Sequence, residues 1–263
     1  MSTKPLVNYA VDGGVAVLEL ANPPANAYSY DMHQQLDAAI LRARMDEQVH
    51  VLLLRGAGEK FFCAGADIAM LDGVTPEFKY YFCLHANETL LRLEHTPKLV
   101  IAALGGHCVG GGLEVALACD LRVARRGGGK IGLPEVSLGV LPGTGGTQRL
   151  ARLIGKARAI ELMVTGRQFS FEEALDLGLV TAIFPGENFM GQVMDYAAQF
   201  MPPNKASKAV GHIKRAVQSG GEMSLESGLT LERELQQQLF ASADAKEGIG
   251  AFVQKRKPVF SGK

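Results

Sequence analysis

At 263 residues the chain can bury one large core, or a core with an appendage. Its 47% hydrophobic and 21% charged residues exclude a disordered chain. Lys+Arg and Asp+Glu number 27 each, and this zero net charge argues against a nucleic-acid partner while leaving room for a small anionic ligand held by a local patch.

Met1-Ser2-Thr3-Lys4-Pro5 leads into a strand-like segment without an apolar export sequence. Val15 to Leu20 reads as a strand, ended by Asn22-Pro23-Pro24, where proline removes donors and fixes φ. Met32, Leu36, Ala39 and Ile40 recur at helical spacing from about Tyr30 to Ala43, with Asp31 favourable in the first turn. Val51 to Leu54 and Leu99 to Leu104 are buried strands flanking a helix from about Pro76 to Leu93. Such alternation suggests an α/β or spiral ββα arrangement. Beyond residue 150 the pattern turns helical. Ser170-Phe171-Glu172-Glu173 fits a capping box closed by Gly178, and Leu231, Leu235 and Leu239 mark a helix from about Ser224 to Phe240. Met201-Pro202-Pro203-Asn204 is the best boundary, dividing a core of residues 1–200 from a helical region of residues 201–263.

The four cysteines (Cys63, Cys83, Cys108 and Cys119) lack metal-ligand spacing and read as free thiols in a reducing compartment, the cytoplasm or an organelle matrix after loss of a presequence. No metal site and no membrane span is expected: the run Lys98 to Ala118 is rich in glycine and contains His107 and Glu114.

Three glycine-dense stretches stand apart: Cys63-Ala64-Gly65-Ala66-Asp67, Gly105 to Gly112, and Leu141-Pro142-Gly143-Thr144-Gly145-Gly146-Thr147. In the second, Gly110-Gly111-Gly112 joins an apolar strand to the helix Leu113 to Ala118, so free N–H groups at a helix start face any ligand. That suits phosphate binding or an oxyanion formed during reaction. Neither GxxxxGK[ST] nor a strand-linked GxGxxG is present, since Gly129-Lys130 is followed by Ile131. Glu114, in the first turn of an apolar helix, fits either complementation of the helix dipole or a functional acid. Glu135, after Pro134, fits a solvated loop acid or the second member of an acid/base pair. His107 reads as structural, and Ser29 and Ser137 lack a nucleophile elbow and a base. Phe78, Tyr80, Tyr81, Phe82 and Leu84 are candidates for core packing or for an acyl pocket.

Phe62-Cys63-Ala64-Gly65-Ala66-Asp67-Ile68, Gly110-Gly111-Gly112-Leu113-Glu114, Leu133-Pro134-Glu135 and Pro142-Gly143-Thr144-Gly145-Gly146-Thr147-Gln148-Arg149-Leu150 follow the order of the crotonase superfamily. Over nearly its whole length, including the tail Ala251 to Lys257, the chain resembles an enoyl-CoA hydratase. The resemblance implies a crotonase-like spiral of ββα units, a helical C-terminal oligomerisation region, and trimers that often pair into hexamers. It implies an acyl-CoA thioester substrate, hydrated reversibly from 2-enoyl-CoA to 3-hydroxyacyl-CoA, with no cofactor beyond the coenzyme A of the substrate. By motif position, the N–H groups of Ala66 and Gly111 form the oxyanion hole, and Glu114 and Glu135 handle the water. Ala25, Ala64, Asp67, Ile68, Pro134 and Gly143 bind substrate or CoA, joined by Phe252 and Lys255, generally from a neighbouring subunit. The alternatives are Δ3/Δ2-enoyl-CoA isomerase and a methylglutaconyl-CoA-type hydratase/dehydratase. The non-enzymatic rival is a CoA-binding scaffold or an RNA-binding protein, and the zero net charge speaks against strong RNA binding. Ala69 stands where many hydratases carry lysine, Asn22 to Ala27 is shorter than the common pattern, and Arg125-Arg126-Gly127-Gly128-Gly129 holds one extra residue between the glutamates.

Overall fold

The computed structural model describes residues 5–263; Met1, Ser2, Thr3 and Lys4, in which no export sequence was read, lie outside them. Strands β1 (Val7–Asp12) and β2 (Val15–Leu20) form an antiparallel hairpin across Gly13-Gly14, whose φ values of +53° and +90° suit glycine. Helix α1 (Tyr30–Met45) starts where Ser29 Oγ accepts the Met32 N–H at 3.3 Å, so this serine is a cap.

Three turns of a spiral follow. The first holds β3 (Val51–Gly56), β4 (Phe61–Cys63), α2 (Ile68–Asp72) and α3 (Pro76–Glu94). The second holds β5 (Leu99–Leu104), β6 (His107–Val109) and α4 (Gly111–Leu117). The third holds β7 (Leu121–Arg125), β8 (Lys130–Gly132), a 3-10 turn (Glu135–Leu138), α5 (Gly146–Ile154) and α6 (Lys156–Thr165). Short elements then close the core: β9 (Phe169–Ser170), α7 (Phe171–Asp176), β10 (Ala182–Phe184) and α8 (Phe189–Ala198). Helices α9 (Ser207–Gly220), α10 (Leu225–Phe240) and α11 (Ala243–Val253) complete the chain.

Each spiral turn sends its first strand to a six-stranded sheet ordered β1-β2-β3-β5-β7-β10 and its second to a four-stranded sheet ordered β4-β6-β8-β9. The pairs β2/β3, β3/β5, β5/β7 and β7/β10 are parallel. A parallel sheet is covered on both faces, which explains the unbroken apolar runs of β3 and β5. Leu52, Leu54, Val100, Ala102 and Leu104 face the core shared with the small sheet, α1 and α4. Val51, Leu53, Leu99, Ile101 and Ala103 face Phe189, Val193 and Ala197 of α8. In the small sheet β4, β6 and β8 run parallel and β9 antiparallel, and glycine-dense stretches follow β4 and run through β6.

The capping box at Ser170 is half formed. Ser170 Oγ accepts the Glu173 N–H at 3.1 Å, whereas the Glu173 carboxylate turns away to a bidentate pair with Arg167. Of the α10 leucines, Leu235 is buried, while Leu231 and Leu239 are half-buried. Lys214 fastens α9 to the spiral, pairing with Asp120 at 2.9 Å and donating to the carbonyls of Leu93 and Lys98. Cys63, Cys108 and Cys119 are buried and Cys83 is half-buried, all as free thiols.

Candidate active site

Two backbone segments meet at the floor of the site. After β4 the chain runs through Gly65, whose φ of +93° calls for glycine. A Cβ there would lie 2.9 Å from the Gly111 nitrogen, so a side chain would push the segments apart. Tyr28 bridges to this loop: its N–H donates to Gly65 O at 2.9 Å and its carbonyl accepts the Asp67 N–H at 2.9 Å. These bonds bracket Ala66 and leave its own N–H without an acceptor among the described residues. After β6, Gly110 takes φ +57° and ψ −135°, tied by its N–H to Gly132 O at 2.9 Å. The Gly111 N–H at the start of α4 likewise has no acceptor among the described residues, as expected for a helix's first donors. Both open donors border one cavity of about 600 Å³.

Glu114 enters that cavity from α4, a helix buried throughout. Its carboxylate serves the next helix rather than its own: Oε1 accepts the Thr144 N–H at 2.8 Å and the Gly146 N–H at 2.7 Å, and Oε2 accepts the Thr144 hydroxyl. Gly146 is the first residue of α5, so the positive end of that helix faces the carboxylate. A Cβ there would fall 2.9 Å from Pro142 Cβ, 3.0 Å from Leu133 Cδ1 and 3.1 Å from Glu114 Oε1, so a side chain would crowd this wall.

Glu135 comes from the opposite wall. Pro134 stops β8 and Glu135 opens the 3-10 turn, which Gly139 ends with φ +71°. Glu135 is half-buried and its Oε2 has no protein partner. Burial pushes its carboxyl up to about 7, its own N–H pulls it down, the Glu114 charge adds to the rise, and Lys79 opposes it. It is therefore the candidate proton carrier near neutral pH.

Ala64, Ala66, Ile68, Gly111, Pro134 and Gly143, all expected at the site, border the cavity together with both glutamates. The other expected residues lie elsewhere. Asp67 caps α2, its Oδ1 accepting from Ala69 and Met70 at 2.9 and 3.2 Å, and Ala25 supports the floor by accepting the Ala64 N–H at 3.0 Å. Neither borders the cavity, because both are used to shape its loops. Phe252, 85% exposed, and Lys255, just beyond α11 with φ +55°, lie on the surface. The aromatic run of α3 divides differently from either expected role: Phe82 is core, whereas Phe78, Tyr80, Tyr81 and Leu84 are exposed. The first turn of α3 supplies Thr75, Pro76 and Lys79 to the cavity instead. His107 is structural, its Nδ1 accepting the Lys130 N–H at 3.0 Å. The enlarged loop also sits apart from the cavity, held by Arg125 on Gly105 O at 2.8 Å and by the Gly127 N–H on Glu172 at 3.2 Å. Its extra residue leaves both glutamates in place. Sequence reasoning missed Thr144 and Tyr28; the glycine-dense setting of Thr144 was visible, but nothing signalled what its hydroxyl would face.

Known proteins resemble this chain over nearly its whole length. The enoyl-CoA hydratase/isomerase family pattern matches residues 10–263. The chain belongs to the enoyl-CoA hydratase/isomerase family. A probable enoyl-CoA hydratase of Bacillus subtilis is 40% identical over 258 residues, covering 97% of this chain and 98% of its own. A short-chain-enoyl-CoA hydratase of Clostridium acetobutylicum is 36% identical over 247 residues, covering 94% of each. The crystal structure of an enoyl-CoA hydratase from Geobacillus kaustophilus superposes with a TM-score of 0.96 at 45% identity, covering 100% of this chain and 98% of that one. The spiral and its C-terminal helices are thus the crotonase-type fold of this family. Among the described residues no helix is long and apolar enough to cross a membrane.

Proposed function

We propose that the protein catalyses the reversible hydration of a 2-enoyl-CoA to a 3-hydroxyacyl-CoA. One observation carries this reading: two carboxylates in opposite environments border the cavity that also holds two unpaired backbone N–H donors. The thioester oxygen accepts from the Ala66 and Gly111 N–H groups, which meet the negative charge as it develops there. Glu114, surrounded by donors and so matched to the charged form, takes a proton from water as the water oxygen bonds to Cβ. The thioester enolate then collapses, and Glu135 delivers its proton to Cα. Water has been added across the double bond, and a proton passing from Glu114 to Glu135 through the site or solvent resets the pair. Pantetheine passes along Ala64, Ile68 and Gly143. Phe252 and Lys255 reach the nucleotide of a neighbouring protomer's substrate, in a trimer or dimer of trimers that also covers exposed Leu225, Phe252 and Val253. The enzyme works in the cytoplasm or an organelle matrix.

Loss of conjugated-thioester absorbance on mixing the protein with crotonyl-CoA is the expected result. Inactivity toward crotonyl-CoA and toward longer, branched and carboxylated enoyl-CoAs overturns it. The carboxylated member, 3-methylglutaconyl-CoA, belongs in the panel because the cationic Lys79 borders the cavity. Double-bond isomerisation is the second reading, supported by an enoyl-CoA isomerase/hydratase of Mycosarcoma maydis that is 39% identical over 258 residues. It needs a single base, so an isomerase keeps activity in Glu114→Gln and loses it in Glu135→Gln.

A further inference from the structure

Thr144 contributes more than a backbone turn. Its N–H and its hydroxyl go to different oxygens of Glu114, so one buried residue grips both ends of the carboxylate. With Gly146 also donating to Oε1, the lone pairs of Oε1 are filled and Oε2 keeps one open. Oε2 is thus the atom left to receive a proton, and among the described residues the only donor on it is the Thr144 hydroxyl. Thr144 is itself immobilised: its carbonyl accepts from Arg149 at 3.0 Å, and Arg149 is held by Glu94 through bonds of 2.8 and 2.7 Å.

A second hydroxyl stands behind the first. Tyr28 OH lies 3.4 Å from Thr144 Oγ1. The threonine proton is committed to an acceptor-only carboxylate, so the phenol must donate. Burial raises the Tyr28 hydroxyl well above its ordinary range, with the Glu114 charge adding to the rise, so it keeps its proton. Its ring is set by packing, edge-on to His33 at 4.5 Å and tilted against Phe82 at 6.0 Å. His33 is neutral, burial pushing it down to about 3, with His85 adding to that. Gly111 leaves the space the phenol occupies, since a Cβ there would fall 1.9 Å from the Tyr28 oxygen.

Resting on the hydratase reading, we propose that Thr144, backed by Tyr28, is a positioning residue that aims Glu114 Oε2 at the water. The titratable and charged groups around Glu114 are Glu135 with Lys79 on the opposite wall, Tyr28, Cys63 and Cys83 beside it, and Arg149 behind Thr144. The Cys63 thiol, pushed up to about 12 by burial, stays neutral across the working range.

The test is the steady-state kinetics of crotonyl-CoA hydration at pH 7 by the whole enzyme and by Thr144→Val, Thr144→Ser and Tyr28→Phe. In Thr144→Val kcat falls about tenfold while KM stays within about twofold, because a misaimed Oε2 slows the reaction of water without touching the contacts that bind the thioester. Thr144→Ser, which keeps the hydroxyl, restores the rate. Tyr28→Phe lowers kcat by only about twofold, because 3.4 Å is long for an O–H···O bond. Thr144→Ala replaces the valine variant should that one not fold, with the same expectation. An unchanged kcat in the valine or alanine variant overturns the proposal, as does a serine variant as impaired as valine. A wild-type enzyme inactive with every enoyl-CoA overturns the functional reading instead.

Discussion

The two walls of the cavity treat the same functional group in opposite ways. On the α4–α5 wall, Glu114 is met by N–H donors from Thr144 and Gly146 and by the Thr144 hydroxyl. On the wall formed by the 3-10 turn, Glu135 has an orphaned oxygen, and burial lifts its carboxyl to about 7. A carboxylate among donors and a carboxyl without them suit a base and an acid, so in the proposed hydration the two roles follow from the placing of donors rather than from different side chains. Glutamine, close in shape to glutamate and unable to carry its charge, is the substitution that tests this contrast.

The largest effect is on rate. Glu114→Gln and Glu135→Gln each lower kcat for hydration by ~10²–10⁴-fold, the range for loss of a positioned acid or base. Steady-state kinetics with crotonyl-CoA at pH 7 reads this out. A loss below tenfold for either variant ends its assignment as a proton carrier.

The same two variants should split in stability. At position 114, glutamine places an NH₂ group among donors, leaving at least one of them unpaired and costing ~2–4 kcal/mol. At position 135 the sign reverses above neutrality. A carboxyl raised from its ordinary 4.5 to about 7 binds its proton more tightly in the folded state. That stability is fully present below 4.5 and is lost as pH climbs through the interval from 4.5 to 7. Discounted for the part of the side chain open to water, the loss is ~1–2 kcal/mol by pH 8. Glu135→Gln escapes it, so the variant is more stable than wild type at pH 8 and equal to it near pH 4, as urea unfolding at both pH values reveals. Equal behaviour of the two variants at pH 8 removes the contrast between the walls.

How far the sequence foretold these walls follows from the range of the interactions involved. Local periodicity gave α1, α3 and both buried strands to within a few residues, because burial on one or two faces imprints directly on neighbouring positions. The glycine-dense segments, ordered as in a known family, located the floor and both glutamates. Three things were not legible. Glu114 was read against its own helix, yet its partners lie 30 and 32 residues onward. The aromatic run of α3 was weighed as one block, while the helix turns most of it outward and brings Lys79 to the cavity. Tyr28 sits 116 residues from Thr144, a pairing that no periodicity encodes.

A smaller perturbation reaches both walls through the floor. Gly65→Ala strains a backbone at φ +93° and sets a methyl 2.9 Å from the Gly111 nitrogen, moving apart the two donors proposed for the thioester oxygen. Losing one such donor costs ~10²–10³-fold, so partial misplacement should cost ~10–10²-fold in kcat. Because neither glutamate is touched, the pH limbs should remain where the wild type has them. Limbs displaced by this variant would mean that the floor and the acid/base pair are not separable.

The subtlest test acts on the Glu135 wall alone. Lys79 opposes the upward shift of Glu135, since a nearby cation favours the charged carboxylate. Lys79→Met removes that charge and keeps an unbranched side chain along Phe82, whose ring lies 5.2 Å from the lysine ammonium. Glu135 then holds its proton to higher pH, and the alkaline limb of hydration moves up by ~0.3 unit, in keeping with a partly solvated charge. Added salt should shrink the wild-type difference, because it screens Lys79 but not the burial of Glu135. An alkaline limb that moves down instead would mean that Lys79 mainly orders the wall, with its charge playing little part.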